Sequence, residues 1–285
     1  MAVLPIDQVK EYRNRTFHLL PQTQVKTKDE AIEFVKERGF IYFWPIKDIT
    51  MPSLWVAVAG DRPVADAHDD PGHITWSWKD SLLGTGVWYY AKVLRKRATM
   101  ISLEVAPYFY ALSENFGSPE DDYLNQYEQG RMTQESRAVY EALLSESPLD
   151  TVALRRATHM TSRESDSRFN RALIELQVDF KILPVGVTQS GAWRYAFAYD
   201  LVHRRHPEIL EQARFIQERA ARQKLAEIYF QSMGAAQVRD LVKLFGWRQV
   251  EAERAVEGLV QAGILAKDLV IDGESGEWIA LATIM

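Results

Sequence analysis

Residues 66–80 read DAHDDPGHITWSWKD, the densest polar cluster in the chain. His68, Asp69, Asp70 and His73 carry imidazoles at His–x4–His spacing around two carboxylates, a donor set that can hold a zinc-like cation. Pro71 and Gly72 interrupt any continuous helix there, so the two imidazoles need not converge. The plainer reading is an aspartate-rich turn in which Asp70 caps a helix beginning at Pro71, and no metal is expected. Asp69, Asp70 and Asp80, the last beside Lys79, are also candidates for acid–base work. Three aspartates within a dozen positions are equally ordinary in a surface loop.

A second group is cationic. Arg95, Lys96 and Arg97, with Lys92 nearby, form the most basic short run of an otherwise acidic stretch. At a hairpin tip such a run can grip a phosphate backbone or probe a minor groove. Basic hairpin tips also occur simply because they discourage edge pairing. A third group is aromatic: Trp44, Trp55, Trp76, Trp78 and Trp88, five of the eight tryptophans, fall between residues 44 and 88. Rings can wall an extruded base, but large aromatics more often make core. Signatures of nucleotide cofactors and of Ser/His/Asp hydrolases do not appear, and no cofactor is expected.

The elements that must position these residues show a repeat. Residues 133–199 run helix, LDTVALRRAT, SRESDSRFNRALIELQ and then two strand-like runs, FKILPVGV and AWRYAFAY. Residues 208–283 repeat the plan, and Ala172-Leu173 aligns with Ala255-Val256, which places Leu176 on Leu259. A three-helix unit closed by a hairpin is a winged helix, whose third helix fits a major groove. In the first copy Phe169, Ala172, Leu173 and Leu176 share an inward face, leaving Arg163, Ser167, Asn170 and Arg171 outward for phosphate and base edges. The matching outward positions of the second copy are Val250, Glu253, Arg254 and Glu257, whose carboxylates oppose phosphate; that copy reads as scaffold. Upstream, Thr27 to Glu30 form a capping box opening a helix that Gly39 closes, FIYFWPI is a short aromatic strand or a buried turn, and VWYYAKVL with ATMISLEV reads as a hairpin turning near Arg95–Arg97. The expected fold is therefore α+β and mostly helical: tandem winged-helix units with short β-hairpins around a concave surface, divided as 1–130, 131–206 and 207–285.

Composition is compatible with this. The chain is 47% hydrophobic and 26% charged and has no cysteine, which removes disulfides and thiolate metal sites and suits a reducing interior. No apolar run has the length of a membrane span, the N-terminus lacks the apolar core of a signal peptide, and a cytoplasmic location is expected. The net charge of −5 argues against a protein that coats nucleic acid indiscriminately. Residues 131–207 alone are basic, with 11 Lys/Arg against 9 Asp/Glu, so duplex contact should centre there and on local basic spots.

The tandem winged helices, the preceding GFIYFWP and the block GVWYYAKVLRKRATMISLEVAPYFYAL together resemble the DNA glycosylases of the AlkZ/YcaQ type, and most closely their AlkZ-related branch. The resemblance spans nearly the whole chain. It implies a protein that binds double-stranded DNA, damaged or distorted duplex above all, on a base-excision scaffold. The enzymes carry a Gln–hydrophobic–Gln (or Asp) triplet shortly after a glycine that ends an early helix. Here that stretch is Gly39 to Pro45, and Tyr42 and Trp44 take the two polar positions. A side chain that places a hydrolytic water must accept a hydrogen bond or a proton; an indole offers only an N–H, and a phenol near pKa 10 is a weak base at neutral pH. The resemblance thus leaves three expectations: DNA binding without the family's catalytic amides, base excision through relocated residues such as Asp69, Asp70, Asp80 and Tyr42, or a ligand- or partner-binding role for the aromatic first unit.

Overall fold

The computed structural model describes residues 2–115, 117–191 and 193–285. Strand β1 (Ala2–Leu4) and helix α1 (Ile6–Thr16) precede the first of three similar units. That unit comprises α2 (Lys28–Arg38), β2 (Phe40–Tyr42), α3 (Leu54–Ala59), α4 (Ile74–Leu82), β3 (Tyr89–Lys92) and β4 (Ala98–Ile101). Helices α5 (Ala106–Tyr110) and α6 (Pro119–Glu128) lead to the second: α7 (Gln134–Ser145), β5 (Leu149–Asp150), α8 (Thr151–Ala157), α9 (Asp166–Val178), β6 (Ile182–Thr188) and β7 (Ala196–Leu201). After α10 (Val202–Arg205) and α11 (Pro207–Ala213) comes the third: α12 (Glu218–Met233), β8 (Ala235–Ala236), α13 (Val238–Phe245), α14 (Gln249–Gln261), β9 (Leu265–Ile271) and β10 (Trp278–Leu281).

Each unit thus runs helix, strand, helix, helix, hairpin, and each sheet has the same order, first strand, last strand, middle strand. The fold is α+β and mostly helical, and this connectivity occurs three times. In the third sheet β1 adds a parallel strand beside β9, Ala2 opposite Leu269, and covers what would be an open edge. Of the run read as a strand from residue 192, Ala192 lies outside the described residues, as does Phe116 in the APYFYALSENFG stretch, where a helix is also expected; the strand and helix in these stretches are β7 and α5. Residues 214–217 separate α11 from α12.

Alternation explains the packing. Successive side chains of β2 point to opposite faces, and both faces are buried. Phe40 and Tyr42 enter a large core shared with α12, α13 and the third sheet, whereas Ile41 and Phe43 enter the first unit's own core with Phe34, Leu54 and Trp78. Gly39 closes α2 at φ 72°, and a Cβ there would stand 2.8 Å from Ile228 Cγ2 of α12, so glycine permits both the turn and the close approach. The middle unit keeps a separate core of Val139, Leu143, Leu154, Phe169, Ala172, Leu173 and Leu176, which also takes in Tyr123 from α6. In α14, Ala255, Val256 and Leu259 are buried as Ala172, Leu173 and Leu176 are in α9.

Candidate nucleic-acid interface and central cleft

The β3–β4 hairpin pairs Tyr89 with Ile101 and Lys92 with Ala98, and turns through Leu94 to Arg97. Leu94 is buried and anchors the turn; its N–H donates to Thr99 Oγ1 at 3.1 Å, and that hydroxyl donates to the Arg97 carbonyl at 2.8 Å. Arg97 N closes the turn on Leu94 O at 3.0 Å. Arg95 and Lys96 hold φ values of 52° and 60°. Two consecutive left-handed residues define a turn that ordinarily selects Asn-Gly, and each residue with a Cβ costs roughly 1–2 kcal/mol there. Arg95, Lys96 and Arg97 are exposed and have no ion pair among the described residues. Lys92 is also exposed; partial burial of its ammonium and the nearby Arg97 lower its pKa.

The tip rests against α9 and α13, where the three units meet. Two clefts flank it and share Val178 and Asp179. One, of about 250 Å³, is lined by Lys96, Arg131, Ser136 and Glu175; the other, of about 220 Å³, by Arg95, Glu114, Phe180, Arg222 and Trp247. Along α9, Arg163 (in the 3₁₀ turn that opens it), Ser167, Asn170 and Arg171 are all exposed, while Phe169, Ala172, Leu173 and Leu176 are buried. Arg163 and Arg171 have no acidic partner among the described residues, whereas Arg155 pairs with Asp166 at 2.7 Å and Arg168 with Glu135 at 3.1 Å. Arg171 stands one helical turn before Glu175, so the cationic face of α9 leads towards the cleft holding Lys96. On α14 Val250, Glu253, Arg254 and Glu257 are exposed, and Glu257 pairs with Lys267 at 2.8 Å.

Tyr42 and Trp44, the residues expected at the amide positions, have different surroundings. Tyr42 is 1% exposed, pairs with Thr99 next to the hairpin tip, and its hydroxyl has no partner among the described residues. Burial pushes its pKa up, against the pull of Arg95 and Arg97. Trp44 instead packs on Phe43, Trp55, Trp76 and the edge of His73, at ring separations between 5.6 and 6.4 Å.

The polar cluster is spread over several tasks. Asp70 caps the 3₁₀ turn Pro71–His73, accepting from Gly72 N at 2.8 Å and from Arg62 at 2.7 Å. The Arg62 guanidinium holds its carboxyl below the usual range. Asp69 is exposed, and the rings of His68 and His73 stand 6.2 Å apart. Among the described residues no three His, Asp or Glu side chains come together as a metal site. Asp80 faces away from these groups, accepting from Lys79 Nζ at 2.7 Å and from the Tyr195 hydroxyl at 3.0 Å. Lys79 is 3% exposed and is ringed by Phe43, Trp76, Tyr90, Tyr195 and Phe197, the closest ring centre lying 4.7 Å away. Burial lowers its pKa, partly offset by Asp80. Tyr195 and Phe197 come from the middle unit, so this cage ties two units together; the adjacent Lys79-Asp80 pair was visible in the sequence but its partners were not.

The model of the AlkZ-related family matches residues 25–246. This chain belongs to that family. Its fold is similar to that of the DNA glycosylase AlkZ of Streptomyces sahachiroi, with a TM-score of 0.62 at 13% identity over 99% of this chain and 71% of that one. No curated protein matches the sequence. The match includes Gly39–Pro45, the hairpin and α9, so the hairpin tip, Tyr42 and Trp44 lie within the matched region.

Proposed function

We propose that this protein binds double-stranded DNA through the β3–β4 hairpin tip and the outward face of α9, on the scaffold of a base-excision glycosylase. The reading takes the three repeated units as winged helices, grouped as residues 1–130, 131–206 and 207–285. The middle one is the DNA reader and the last is scaffold. One observation carries it: Arg95, Lys96 and Arg97 stand exposed and unpaired on a turn whose backbone is strained. Strain of this kind survives where the protruding side chains are used, and neutralisation of phosphates uses all three. Arg163 and Arg171 extend the same unpaired positive charge along α9, and Asn170 beside them can address a base edge. Distorted or damaged duplex is the preferred target, because a hairpin wedge is admitted more cheaply where stacking is already weakened.

Catalysis by the family's amide route is not part of the reading, since Tyr42 is buried in the shared core and Trp44 has no acceptor to offer a water. Among the described residues no helix is long and apolar enough to cross a membrane. Fluorescence anisotropy with a labelled duplex tests the assignment. R163A/R171A should weaken binding severalfold, R254A on α14 should not, and equal effects of the two would remove α9 as the reading helix.

A further inference from the structure

A third cleft, of about 250 Å³, opens between α1, the loop after β2, α12, α13 and the hairpin of β9 and β10. It shares no lining residue with the two clefts beside the β3–β4 tip. Six charged side chains line it, Arg13, Arg239 and Lys243 against Asp48, Asp240 and Glu274. None of the six forms an ion pair among the described residues. In the cleft between α12 and α14, by contrast, opposite charges close on one another: Arg222 pairs with Glu218 and Glu251, and Arg248 with Glu251.

Three of the six are tied to the backbone instead. Arg13 donates from Nε to Met233 O at 3.1 Å and from Nη2 to Ala235 O at 2.8 Å. Lys243 Nζ donates to the Asp48 carbonyl, and Asp240 accepts from Gln237 N at 2.9 Å in the cap of α13. Burial lowers the Arg13 pKa, opposed by Tyr229, Asp240 and Glu274, which act on the guanidinium across space. A half-buried cation thus lacks a bonded anion, while the two carboxylates nearest it lack a bonded cation. Two uncharged donors belong to residues lining the same space. The Trp278 indole N–H is buried and has no acceptor, and the Tyr229 hydroxyl, on a residue 3% exposed, makes no hydrogen bond among the described residues. Buried donors in folded proteins are nearly always paired, so these two mark a place for an acceptor from outside the chain.

We propose that this cleft binds a free α-amino acid with an apolar side chain. The ligand carboxylate lies on the Arg13 guanidinium, whose Nη1 is not used by the chain among the described residues, and accepts from the Trp278 N–H. A guanidinium matches the two oxygens of a carboxylate and bonds them more strongly than a neutral donor does. The ligand ammonium lies against Asp240 and Glu274, and its side chain packs on Ile49, Met233 and the ring of Trp278. With three charges of each sign the lining is neutral, so a polyanion or a polycation gains from one half and is opposed by the other, whereas a zwitterion meets both. The volume falls below the roughly 300–1,000 Å³ of sites for drug-sized ligands, which restricts the occupant to a small molecule. This binding does not depend on the duplex contact proposed above.

Isothermal titration calorimetry of the full chain is the test, with L-leucine and L-phenylalanine as probes. Each is compared with its analogue lacking the ammonium (4-methylpentanoate, 3-phenylpropanoate) and its analogue lacking the carboxylate (3-methylbutylamine, phenethylamine). At least one amino acid should bind saturably at a single site, and removing either charged group from it should weaken binding about tenfold or more. W278F keeps the ring and removes the N–H, and E274Q removes one carboxylate; each should weaken binding severalfold. R13A should abolish it, but Arg13 also holds Met233 and Ala235, so W278F and E274Q decide if R13A does not fold. Absence of saturable binding by both amino acids at millimolar concentration overturns the inference. Equal affinity for either analogue overturns the assignment to a zwitterion, and wild-type affinity in W278F or in E274Q overturns the assignment to this cleft.

Discussion

Removing Asp80 should cost far more than removing the lysine it neutralises. Lys79 is 3% exposed and its ammonium has two polar partners, Asp80 at 2.7 Å and Tyr195 at 3.0 Å, inside a ring of five aromatic side chains. D80A leaves a buried cation with a phenol alone, and breaking a buried pair from one side costs about 3–5 kcal/mol. The Asp80 side chain is 26% exposed, which argues for the lower end, about 3 kcal/mol. For a chain of this size that lowers Tm by roughly 6–12 °C. K79M removes the charge and leaves a thioether among rings, a favourable contact, while Asp80 retains solvent and the Tyr195 hydroxyl; its cost should stay below about 1 kcal/mol. The lysine's pKa is lowered on folding, so the unfolded chain binds the extra proton and stability rises with pH towards the ordinary lysine value. D80A should steepen that rise between pH 8 and 10. Urea denaturation of the three proteins at both pH values is the assay. A K79M loss equal to that of D80A would refute the reasoning, because packing rather than charge would then dominate the cage.

Two further predictions concern the cleft. R95N/K96G gives the tip the residue pair its turn prefers and should raise stability by about 1–2 kcal/mol while weakening duplex binding, measured by urea denaturation and anisotropy; unchanged binding would separate the strain from function. Asp179 has a pKa near 6 in place of its ordinary 3.8, so the folded chain binds more protons between those values and stability falls as pH rises through that window. D179N should therefore be more stable than wild type at pH 7, by on the order of 2 kcal/mol, and gain nothing at pH 3.5; equal gains at both pH values would show that the carboxylate is not held up by its surroundings.

Local chemistry was legible where the responsible groups are sequence neighbours. Thr27 and Glu30 form the capping box their spacing announces, Asp70 caps the turn at Pro71, and the hairpin turns at the basic run. The buried face of α9 follows its helical period. What stayed hidden depends on packing between units. The run from Glu211 onward keeps helical character across residues 214–217, so nothing local marks the break before α12. Lys79 gains Tyr195 from more than a hundred residues away, and Tyr42 proves buried because the third unit closes over the first sheet. Asp179 did leave a local trace, an acid at a helix C-terminus, but the clefts it lines are formed by several units and could not be read from its neighbours.

The salt dependence of duplex binding by wild type and R95A/K96A/R97A tests the central claim most directly. If the tip neutralises phosphates, log affinity falls linearly with log salt in wild type, and the triple substitution reduces the slope by roughly 0.9 for each phosphate no longer neutralised while weakening binding at low salt. Parallel salt plots for the two proteins, or tight binding indifferent to salt, would contradict the assignment.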